Sequence, residues 1–258
     1  MKAYEASEAK RLLDPTLPLI ARLDGRGFSK FTRGFEKPFD ASLTDAMDAT
    51  TMALVEETKA SIGYTQSDEI TLIWDAVEEN SQRFFNDRVQ KLCSVLAGKC
   101  TILFATELVY SGTGGTEIFR KLPHFDCRVW NVPNQDEATN TLLWRAQDAR
   151  RNGISVFCQQ HVSHKALQGA NQKLMLELAY ENGAPDIHEA CTDGELFGRY
   201  FKRITREREL TDEVLVRIPE PKRPPSGTTF MRSSVEQLEI KYFGDSGDQE
   251  ARKKVIFG

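Results

Sequence analysis

Short apolar runs and longer segments with helical spacing alternate along the first half of the chain. Residues 19–23 are mostly apolar and lead into Asp24-Gly25-Arg26-Gly27-Phe28, which predicts a buried strand that ends in a tight glycine turn. From Asp40, a favourable N-cap residue, the apolar positions recur at helical spacing: they are Leu43, Met47, Leu54 and Val55. This segment predicts a helix.

The segments that follow complete a known order of elements. Residues 62–74 return to strand character, and the polar run 65–69 in their middle predicts the bend of a hairpin. A helix is predicted over 81–98 and a strand over 101–110. The order strand, helix, strand, strand, helix, strand is the split βαβ or ferredoxin-like arrangement. It is also the palm of many polymerases and nucleotide cyclases.

The remainder of the chain predicts mainly helices. One more strand is predicted over 125–132 and helices from 136 to about 179, while Pro219, Pro221, Pro224 and Pro225 predict an extended or loop-like stretch. We therefore predict an α+β fold, a ferredoxin-like polymerase palm with additional C-terminal helices. Residues 1–135 form the palm-like catalytic core. Residues 136–258 form a helical and irregular C-terminal part, packed on the core as one domain.

The composition is that of an ordinary soluble protein. Hydrophobic residues make up 40% and charged residues 28% of the 258 positions. We find no stretch that approaches the roughly 20 apolar residues needed to span a bilayer and no apolar signal region at the start, so we expect no membrane association. Five cysteines without close pairs indicate reduced thiols and a cytoplasmic protein.

The charge of the chain restricts its possible partners. A net charge of −4 argues against a non-specific nucleic-acid binder, but it leaves room for an RNA enzyme whose basic residues share one face. Two basic groups fit that description: Arg145, Arg150 and Arg151, and then Arg199, Lys202, Arg203, Arg206 and Arg208. Each group is either a solvated charged face or a contact to the RNA backbone, and charge alone favours the first interpretation.

Acidic residues stand where the predicted strands end. Asp24 closes an apolar strand before Gly25, and the pair Asp68-Glu69 lies at the hairpin bend. In the ferredoxin-like order the first strand lies beside this hairpin, so Asp24 and Asp68 can meet at one edge of the sheet. Two converging carboxylates, with a carbonyl from the Gly25 turn, make an oxygen site suited to Mg²⁺. The alternative is a set of capping, turn or ion-paired carboxylates.

Such a site is suited to phosphoryl transfer with two metal ions, one at the attacking hydroxyl and one at the leaving pyrophosphate. We predict Asp68 as the bridging ligand, Glu69 as a supporting carboxylate and Ser67 as part of the lining. The candidates for triphosphate contact are Arg26, Lys37, Arg88, Lys91 and the backbone N–H groups of Gly27, Phe28 and Ser29. Each of these residues taken singly is more often a surface residue.

Two other patterns carry weaker signals. The run Ser111-Gly112-Thr113-Gly114-Gly115 lacks both the full dinucleotide fingerprint and the Lys of a P-loop, so we interpret it as a flexible loop. Cys158, His161 and His164 have metal-ligand spacing but no fourth ligand. We expect surface or partly buried roles for them rather than a zinc site.

The order of several short motifs resembles one enzyme family. Residues 21–28, 37–40 and 64–69 resemble successive signatures of the histidine-tRNA guanylyltransferase family. Residues 84–91, 125–129 and 144–148 are similar to three later segments of the family. The resemblance extends from the N-terminus to about Gly169. Any one of these motifs is weak, but their order and spacing together are specific.

The resemblance implies a polymerase palm that works in the reverse direction. It implies that the 5′ end of a tRNA is activated, by adenylylation when it carries a monophosphate, and that the 3′-hydroxyl of an incoming nucleotide attacks that end. ATP and GTP or other NTPs are then substrates. The family resemblance further implies two Mg²⁺ ions on Asp24, Asp68 and the Gly25 carbonyl, a role for Glu69 in activity, and a homotetramer in which one subunit helps another bind tRNA.

One departure from the family pattern affects the reaction that we predict. Eukaryotic members carry a His-Ile-Asn-Asn motif where this chain has Arg150-Arg151-Asn152-Gly153. The chain is thus more similar to the guanylyltransferase-like branch, which implies template-dependent 3′-5′ addition and repair of the tRNA 5′ end, with Arg145, Arg150, Arg151 and Asn152 near the RNA. The alternatives are a non-templated histidine-tRNA guanylyltransferase, a palm-type cyclase acting on free NTPs and a non-catalytic RNA-binding module.

Overall fold

The protein is described by a computed structural model that covers residues 1–77, 83–112, 120–225 and 227–258. Six strands in these residues form one antiparallel sheet in the order β4-β1-β3-β2-β5-β6. They are β1 Leu19–Gly25, β2 Ile62–Gln66, β3 Glu69–Trp74, β4 Phe125–Asn131, β5 Arg199–Glu209 and β6 Thr229–Leu238. The first four strands have the order 4-1-3-2, so the predicted ferredoxin-like palm is confirmed.

Eleven helices have bounds within the described residues, and they pack around this sheet. They are α1 Lys2–Ala9, α2 Phe28–Phe31, α3 Ala41–Thr58, α4 Val89–Tyr110, α5 Gln135–Cys158, α6 His164–Leu167, α7 Gln172–Glu181, α8 Ile187–Ala190, α9 Asp193–Phe197, α10 Asp212–Arg217 and α11 Gln249–Phe257. Short 3-10 turns occupy Phe84–Asp87, Glu220–Lys222 and Phe243–Asp245.

Helix α3 begins where the sequence predicts. The carboxylate of Asp40 accepts the backbone N–H groups of Ser42 at 3.0 Å and Leu43 at 3.2 Å, which satisfies two donors that the first turn leaves unpaired. The helix ends at Lys59, which takes a left-handed conformation with φ of 57°. The cap fixes the direction in which the chain leaves the 32–39 segment, and that segment lines the candidate site described below.

The two faces of the sheet carry separate cores because successive strand residues alternate between them. Leu23 and Ile70 belong to the core under α3 and α4. Ile20 and Tyr64 belong to the core on the opposite face, where Ala146 of α5 packs. A third cluster joins α5 to α7 and α9. Charged residues of β1 and β3 that share the face of Ile20 therefore lie on the side of α5.

The prediction of a strand over 101–110 is wrong. These residues continue α4, which runs from Val89 to Tyr110. Cys100, Phe104 and Leu108 recur every fourth residue and are fully buried, which is helical periodicity that the β-branched Thr101 and Ile102 obscured. The fourth strand of the palm is instead β4, at the position where we predict an additional strand.

The predicted start of that helix is also displaced. Residues 81 and 82 lie outside the described residues, and the 3-10 turn Phe84–Asp87 precedes α4. Of the glycine-rich run, residues 113–115 lie outside the described residues as well.

Helix α4 is long and apolar enough to cross a bilayer by length and composition, with a mean hydropathy of 1.6. The prediction that no stretch approaches the length and apolar composition of a membrane span is therefore wrong. The buried face of α4 packs against α3 and β4.

Two strands occur in the C-terminal part that we predict to be helical and irregular. Strand β5 pairs with β2 only over Arg199–Lys202, whereas its pairing with β6 extends from Tyr200 to Glu209. The long β5-β6 hairpin therefore continues beyond the edge of β2. Its alternating charged residues conceal the strand pattern, because neither face of the outer half is buried.

Candidate active site

Asp24 and Asp68 meet at one edge of the sheet, as the ferredoxin-like order predicts. Asp24 lies near the end of β1, between its register partners Glu69 on β3 and Asp126 on β4. The backbone N–H of Gly25 donates to the carbonyl of Asp68 at 3.0 Å, which fixes the glycine turn against the hairpin bend. The two carboxylates are thus held by backbone pairing between three strands.

Asp68 is a carboxylate in an unfavourable environment. Burial raises its pKa above the usual value, and the nearby charge of Asp24 adds to that effect. The Ser67 hydroxyl donates to it at 3.2 Å and partly opposes the rise. Within the described residues no Lys, Arg or His forms an ion pair with Asp68, so its negative charge lacks a cation. A half-buried carboxylate of this kind is suited to bind a cation.

Asp24 and its neighbour Asp126 share one cation. A terminal nitrogen of Arg128 lies 3.8 Å from Asp24 and 3.5 Å from Asp126. Asp126 and Arg128 both lie in the 125–129 motif of the sequence, but their proximity to Asp24 depends on strand pairing that the sequence alone does not reveal. Three acidic residues, Asp24, Asp68 and Asp126, therefore surround this edge.

The oxygen donors at this edge are the chemical type that Mg²⁺ prefers. Asp24 and Asp68 offer carboxylates close enough to interact electrostatically, and within the described residues Asp68 has no protein cation to displace. No group of three or more His, Cys, Asp and Glu arranged to hold a metal is found among the described residues. Any ion held here would thus need donors beyond these side chains, such as a backbone carbonyl or substrate phosphate.

Glu69 points away from this edge toward α5. Its two carboxylate oxygens accept bonds from Arg145 at 2.6 Å and 2.7 Å, a bidentate pair that is among the stronger ion-pair geometries. The nitrogen Nε of Arg22 lies 3.8 Å away. Burial raises the pKa of Glu69, while the pairing with Arg145 opposes the rise. Glu69 is therefore engaged within the protein rather than free to bind a metal.

A cavity of about 530 Å³ opens beside Asp68. One wall is the turn that follows β1, together with the hairpin bend, and the opposite wall comes from α3 and the segment before it. Eight of the site residues that we predict from the sequence line it: Gly25, Gly27, Phe28, Ser29, Lys37, Ser67, Asp68 and Arg199. The sequence did not indicate the apolar part of the wall, which consists of Phe39, Leu43, Met47 and Val156. The cavity thus offers both polar and apolar surfaces.

The glycine turn has a specific shape that only glycine permits at two positions. A Cβ atom on Gly25 would lie 2.3 Å from the ring of Phe28, so the backbone and this ring are in close contact. Gly27 has φ of 69°, which L-residues with side chains rarely adopt. The Phe28 ring packs on Phe104 and Phe125, which anchors the turn to α4 and β4.

Three candidates for triphosphate contact do not line the cavity. Arg26 is exposed beyond the turn, and its backbone N–H donates to the carbonyl of His124 at 2.9 Å. Arg88 and Lys91 lie at the opposite end of the sheet, where Arg88 bridges to Leu12. Phe104 is the α4 residue at the cavity, about 22 Å along the helix from its first turn. Arg88 and Lys91 of the same chain are therefore too far away.

The side chains of the first basic group contact other residues of the protein. Arg145 holds Glu69 and also donates to Asp148 at 3.0 Å. Arg151 pairs with the same Asp148, and the amide of Asn152 donates to it at 3.5 Å. The guanidinium of Arg150 lies over the Tyr242 ring at 5.2 Å. We predict Arg145 as an RNA contact, but its guanidinium is bonded to Glu69 and Asp148 instead. The reason is that a carboxylate shielded from solvent, such as that of Glu69, requires a counter-charge.

The second basic group divides into structural and exposed members. Arg199 pairs with Asp48 and donates to the carbonyl of Gly194 at 2.9 Å, and Lys202 donates to the carbonyls of Val255 at 2.8 Å and Gly258 at 2.7 Å. Burial lowers the pKa of Lys202. Both lie where β5 pairs with β2, which explains why they are covered and not exposed for RNA. Arg203, Arg206 and Arg208 continue along the hairpin, with Arg206 paired to Glu236.

The cysteine and histidine residues near the end of α5 have packing roles. Cys158 is fully buried in the third core cluster, and the His161 ring packs against Phe157 with centroids 5.5 Å apart. Within the part of the chain that the structure describes, no metal-binding group includes them.

Comparison with known proteins places these features in a family. The family model described as tRNAHis guanylyltransferase (Thg1) matches residues 1–133. An uncharacterized protein, R259, of Acanthamoeba polyphaga mimivirus is 32% identical over 239 residues, which cover 83% of this chain and 78% of that protein. The tRNA(His) guanylyltransferase of Schizosaccharomyces pombe is 32% identical over 158 residues, 60% of this chain and 56% of that protein. The chain thus spans little more than half of the latter.

Solved structures give the same result for the fold. A bacterial tRNA(His) guanylyltransferase (Thg1)-like protein in complex with ATP is similar at a TM-score of 0.70, with 31% identity over 78% of this chain and 86% of that chain. A bacterial protein of the same description in complex with GTP also reaches 0.70, with 25% identity over 100% and 97%. The family match over half of the sequence and the shared palm fold show that the chain belongs to the tRNAHis guanylyltransferase (Thg1) family of nucleotidyltransferases.

Proposed function

We propose that this protein is a template-dependent 3′-5′ nucleotidyltransferase that adds nucleotides to the 5′ end of tRNA and so repairs truncated ends. The observation that carries the proposal is Asp68, a half-buried carboxylate that lines the cavity, lies near Asp24 and forms no ion pair within the described residues. A palm fold that carries two acidic residues, Asp24 and Asp68, at one edge of its sheet is suited to nucleotidyl transfer. The family membership agrees with this chemistry.

Asp24, Asp68 and the carbonyl of Gly25 are the proposed holders of two Mg²⁺ ions. When bound, the ions would supply charge neutralisation for the triphosphate and for the attacking hydroxyl. The role of the chain itself is to hold Asp24 and Asp68 at a fixed separation, through pairing of β1 with β3 and the Gly25–Asp68 backbone bond. Glu69 acts indirectly in this proposal, by holding Arg145 and the end of β3.

The cavity is the proposed site of the nucleotide, with ATP, GTP or other NTPs as substrates. Lys37 is exposed on its wall and has the charge to contact a triphosphate. The apolar wall at Leu43 and Met47 provides a surface for a base. The two bacterial relatives in complex with ATP and GTP support this assignment.

Template dependence is supported by the segment that departs from the eukaryotic motif. A Cβ atom on Gly153 would lie 2.8 Å from the carbonyl oxygen of Leu196, so this position serves the close packing of α5 on α9. Arg151 and Asn152 both contact Asp148. Because these side chains are engaged, base pairing with the opposite RNA strand is the better source of nucleotide selectivity.

The assembly and cellular setting follow from the same family relationship. We propose a homotetramer with tRNA as its partner, in which the half-buried Arg203 and the exposed Arg208 of the β5-β6 hairpin, with Arg150, contribute to RNA contact. Arg88 and Lys91, which are remote from the cavity of their own chain, are then available to another subunit. Five free cysteines are compatible with a reducing, cytoplasmic location.

The test uses a 5′-monophosphorylated tRNA that lacks its first nucleotide, with Mg²⁺, ATP and labelled NTPs. We expect Mg²⁺-dependent joining of one nucleotide to the 5′ end, loss of joining in Asp68→Asn, and normal joining in Glu250→Gln, a control carboxylate that is 75% exposed on α11. NTP consumption without RNA would instead indicate a palm-type cyclase. RNA binding without any NTP binding would indicate a non-catalytic module, and either result would contradict the proposal.

A further inference from the structure

Trp144 of α5 exposes its ring to solvent next to Arg145, the partner of Glu69. Its exposed fraction is 53%, whereas Trp74, the tryptophan at the end of β3, is 4% exposed. Exposing half of an indole ring to water is unfavourable compared with burying it. The exposed part of the Trp144 ring is therefore a candidate contact surface.

The ring is held in place by the ion-pair network. The guanidinium carbon of Arg145 lies 4.5 Å from the Trp144 ring centroid, a cation-π geometry. Arg145 in turn is fixed by two bonds to Glu69 and one to Asp148. One face of the indole thus packs on a fixed guanidinium, and the orientation of the ring is set before any ligand arrives.

This network connects the ring to Asp24 through Arg145 and Glu69. Glu69, which Arg145 holds, is the register partner of Asp24 on the adjacent strand, and the two side chains share one face of the sheet. On that face Arg22 and Arg128 are also register partners, and the Arg128 side chain is 55% exposed. Glu69, Arg22 and Arg128 thus lie with Asp24 on one face of the sheet, and Trp144 is connected to that face through Arg145.

We propose that Trp144 is a stacking platform for the terminal nucleobase of the RNA whose 5′ end is extended, an inference that rests on the proposed function. Aromatic rings next to cationic side chains bind single-stranded RNA by stacking, and every base has a suitable face. Stacking of this kind is tolerant of sequence. It holds the terminal base in place while pairing with the template selects the incoming nucleotide.

The test compares two RNAs and four proteins in equilibrium binding. The RNAs are the truncated tRNA described above and the same molecule with an abasic 5′-terminal residue. The proteins are the parent, Trp144→Leu, Trp144→Phe and Tyr4→Leu, a control that alters an exposed aromatic residue of α1. We expect the parent and the control to prefer the intact RNA about tenfold, the size of one base–aromatic stack. Trp144→Leu loses that preference, and Trp144→Phe keeps part of it.

Intrinsic fluorescence provides a second measurement. The intact RNA is expected to quench the parent more than the abasic RNA does. Trp144→Phe removes that difference, while Trp74 and Trp130 continue to report on folding. A preference for intact RNA that survives in Trp144→Leu would overturn the inference, as would a parent without preference. A change in sedimentation in Trp144→Leu with RNA preference intact would assign the ring to a subunit contact and also overturn it. Nucleotide addition by the parent is scored separately, so failure of the proposed function is distinguishable.

Discussion

At the scale of single residues, the site was predictable where chemistry and chain position coincide. Asp24 before a glycine turn and Asp68 at a hairpin bend are visible as costly carboxylates at strand ends. The pairing of Glu69 with Arg145 was not predictable, because 76 residues separate them. Their contact depends on how α5 lies across the sheet. Glu69, which we predict to support the metal site, therefore pairs with Arg145 inside the protein.

The raised pKa of Asp68 has a consequence for stability. Because burial raises its folded-state pKa, the folded protein binds the proton more tightly than the unfolded chain, so the ionised carboxylate destabilises the fold above that pKa. We expect Asp68→Asn to raise Tm at neutral pH without metal, by roughly 2–4 °C for each kcal/mol. The difference should disappear as the pH falls below the unfolded-state pKa of Asp.

Scanning calorimetry in the presence and absence of Mg²⁺ checks this prediction. Addition of Mg²⁺ is expected to raise the Tm of the parent, since an ion that binds only the folded state stabilises it, and to leave Asp68→Asn unchanged. If Asp68→Asn has a lower Tm than the parent at neutral pH without metal, the Asp68 carboxylate stabilises the fold without a bound cation. That result would contradict the prediction.

Cys93 on α4 is predicted to be the most reactive thiol. A hydrogen bond from Cys127 of β4 lowers the pKa of Cys93 to about 7, so a large fraction is thiolate at neutral pH. Burial raises the pKa of Cys100 and Cys158. Peptide mass spectrometry after brief alkylation is expected to find Cys93 modified first, at a rate that rises through about pH 7. In Cys127→Ala the rise should move to higher pH, and an unmoved profile would refute this hydrogen bond.

At the scale of elements, α3 and the hairpin follow from local sequence, whereas α4 does not. Asp40 and the apolar spacing after it define α3 without tertiary information. Residues 101–110 contain β-branched residues, yet the sheet buries one face of a helix there. Strands β5 and β6 were missed because the outer half of their hairpin is exposed on both faces, and β5 is also highly charged there. Local sequence patterns do not predict an element correctly where tertiary packing determines its secondary structure.

The glycine turn after β1 gives a prediction at this scale. Gly25→Ala places a Cβ atom 2.3 Å from the Phe28 ring, and such overpacking costs about 1–3 kcal/mol. Gly27→Ala meets no atom within 4 Å but must adopt φ of 69°, which costs about 1–2 kcal/mol. Urea unfolding is expected to rank Gly25→Ala as the less stable variant. The reverse order would mean that the ring yields easily and that the turn is not packed as described.

The attachment of α5 to β3 gives a second prediction. Arg145 and Glu69 are 11% and 14% exposed, and removing one partner of such a pair costs about 3–5 kcal/mol. We expect Arg145→Met to lower the free energy of unfolding by about 3 kcal/mol, allowing for residual hydration. Arg151→Met is the matched control, since Arg151 is 67% exposed and exposed pairs contribute about 0–1 kcal/mol.

A double-mutant cycle separates the pair from other effects of Arg145. If the ion pair accounts for the loss, Glu69→Gln combined with Arg145→Met is less destabilising than the sum of the two single changes. Simple additivity would indicate that Arg145 acts through its contact with Trp144 and Asp148 and not through Glu69.

At the scale of the whole molecule, the site exists because distant segments converge. The 4-1-3-2 strand order brings Asp24 to Asp68, and the order was predictable because it follows from the succession of elements. The cavity was not, since its walls combine the turn after β1, the start of α3, Val156 of α5 and Arg199 of β5. Those contacts cross more than 170 residues of sequence (from Gly25 to Arg199) and no local pattern encodes them.

The central claim is that an RNA template selects the nucleotide added at this edge. The most direct measurement uses four tRNAs that lack the first nucleotide and differ only in the base opposite the gap, each incubated with the protein, Mg²⁺, ATP and all four NTPs. The account predicts that sequencing of the 5′ ends finds the complementary nucleotide in every case. Addition of G to all four would contradict template dependence, and the absence of addition to any of them would contradict the account as a whole.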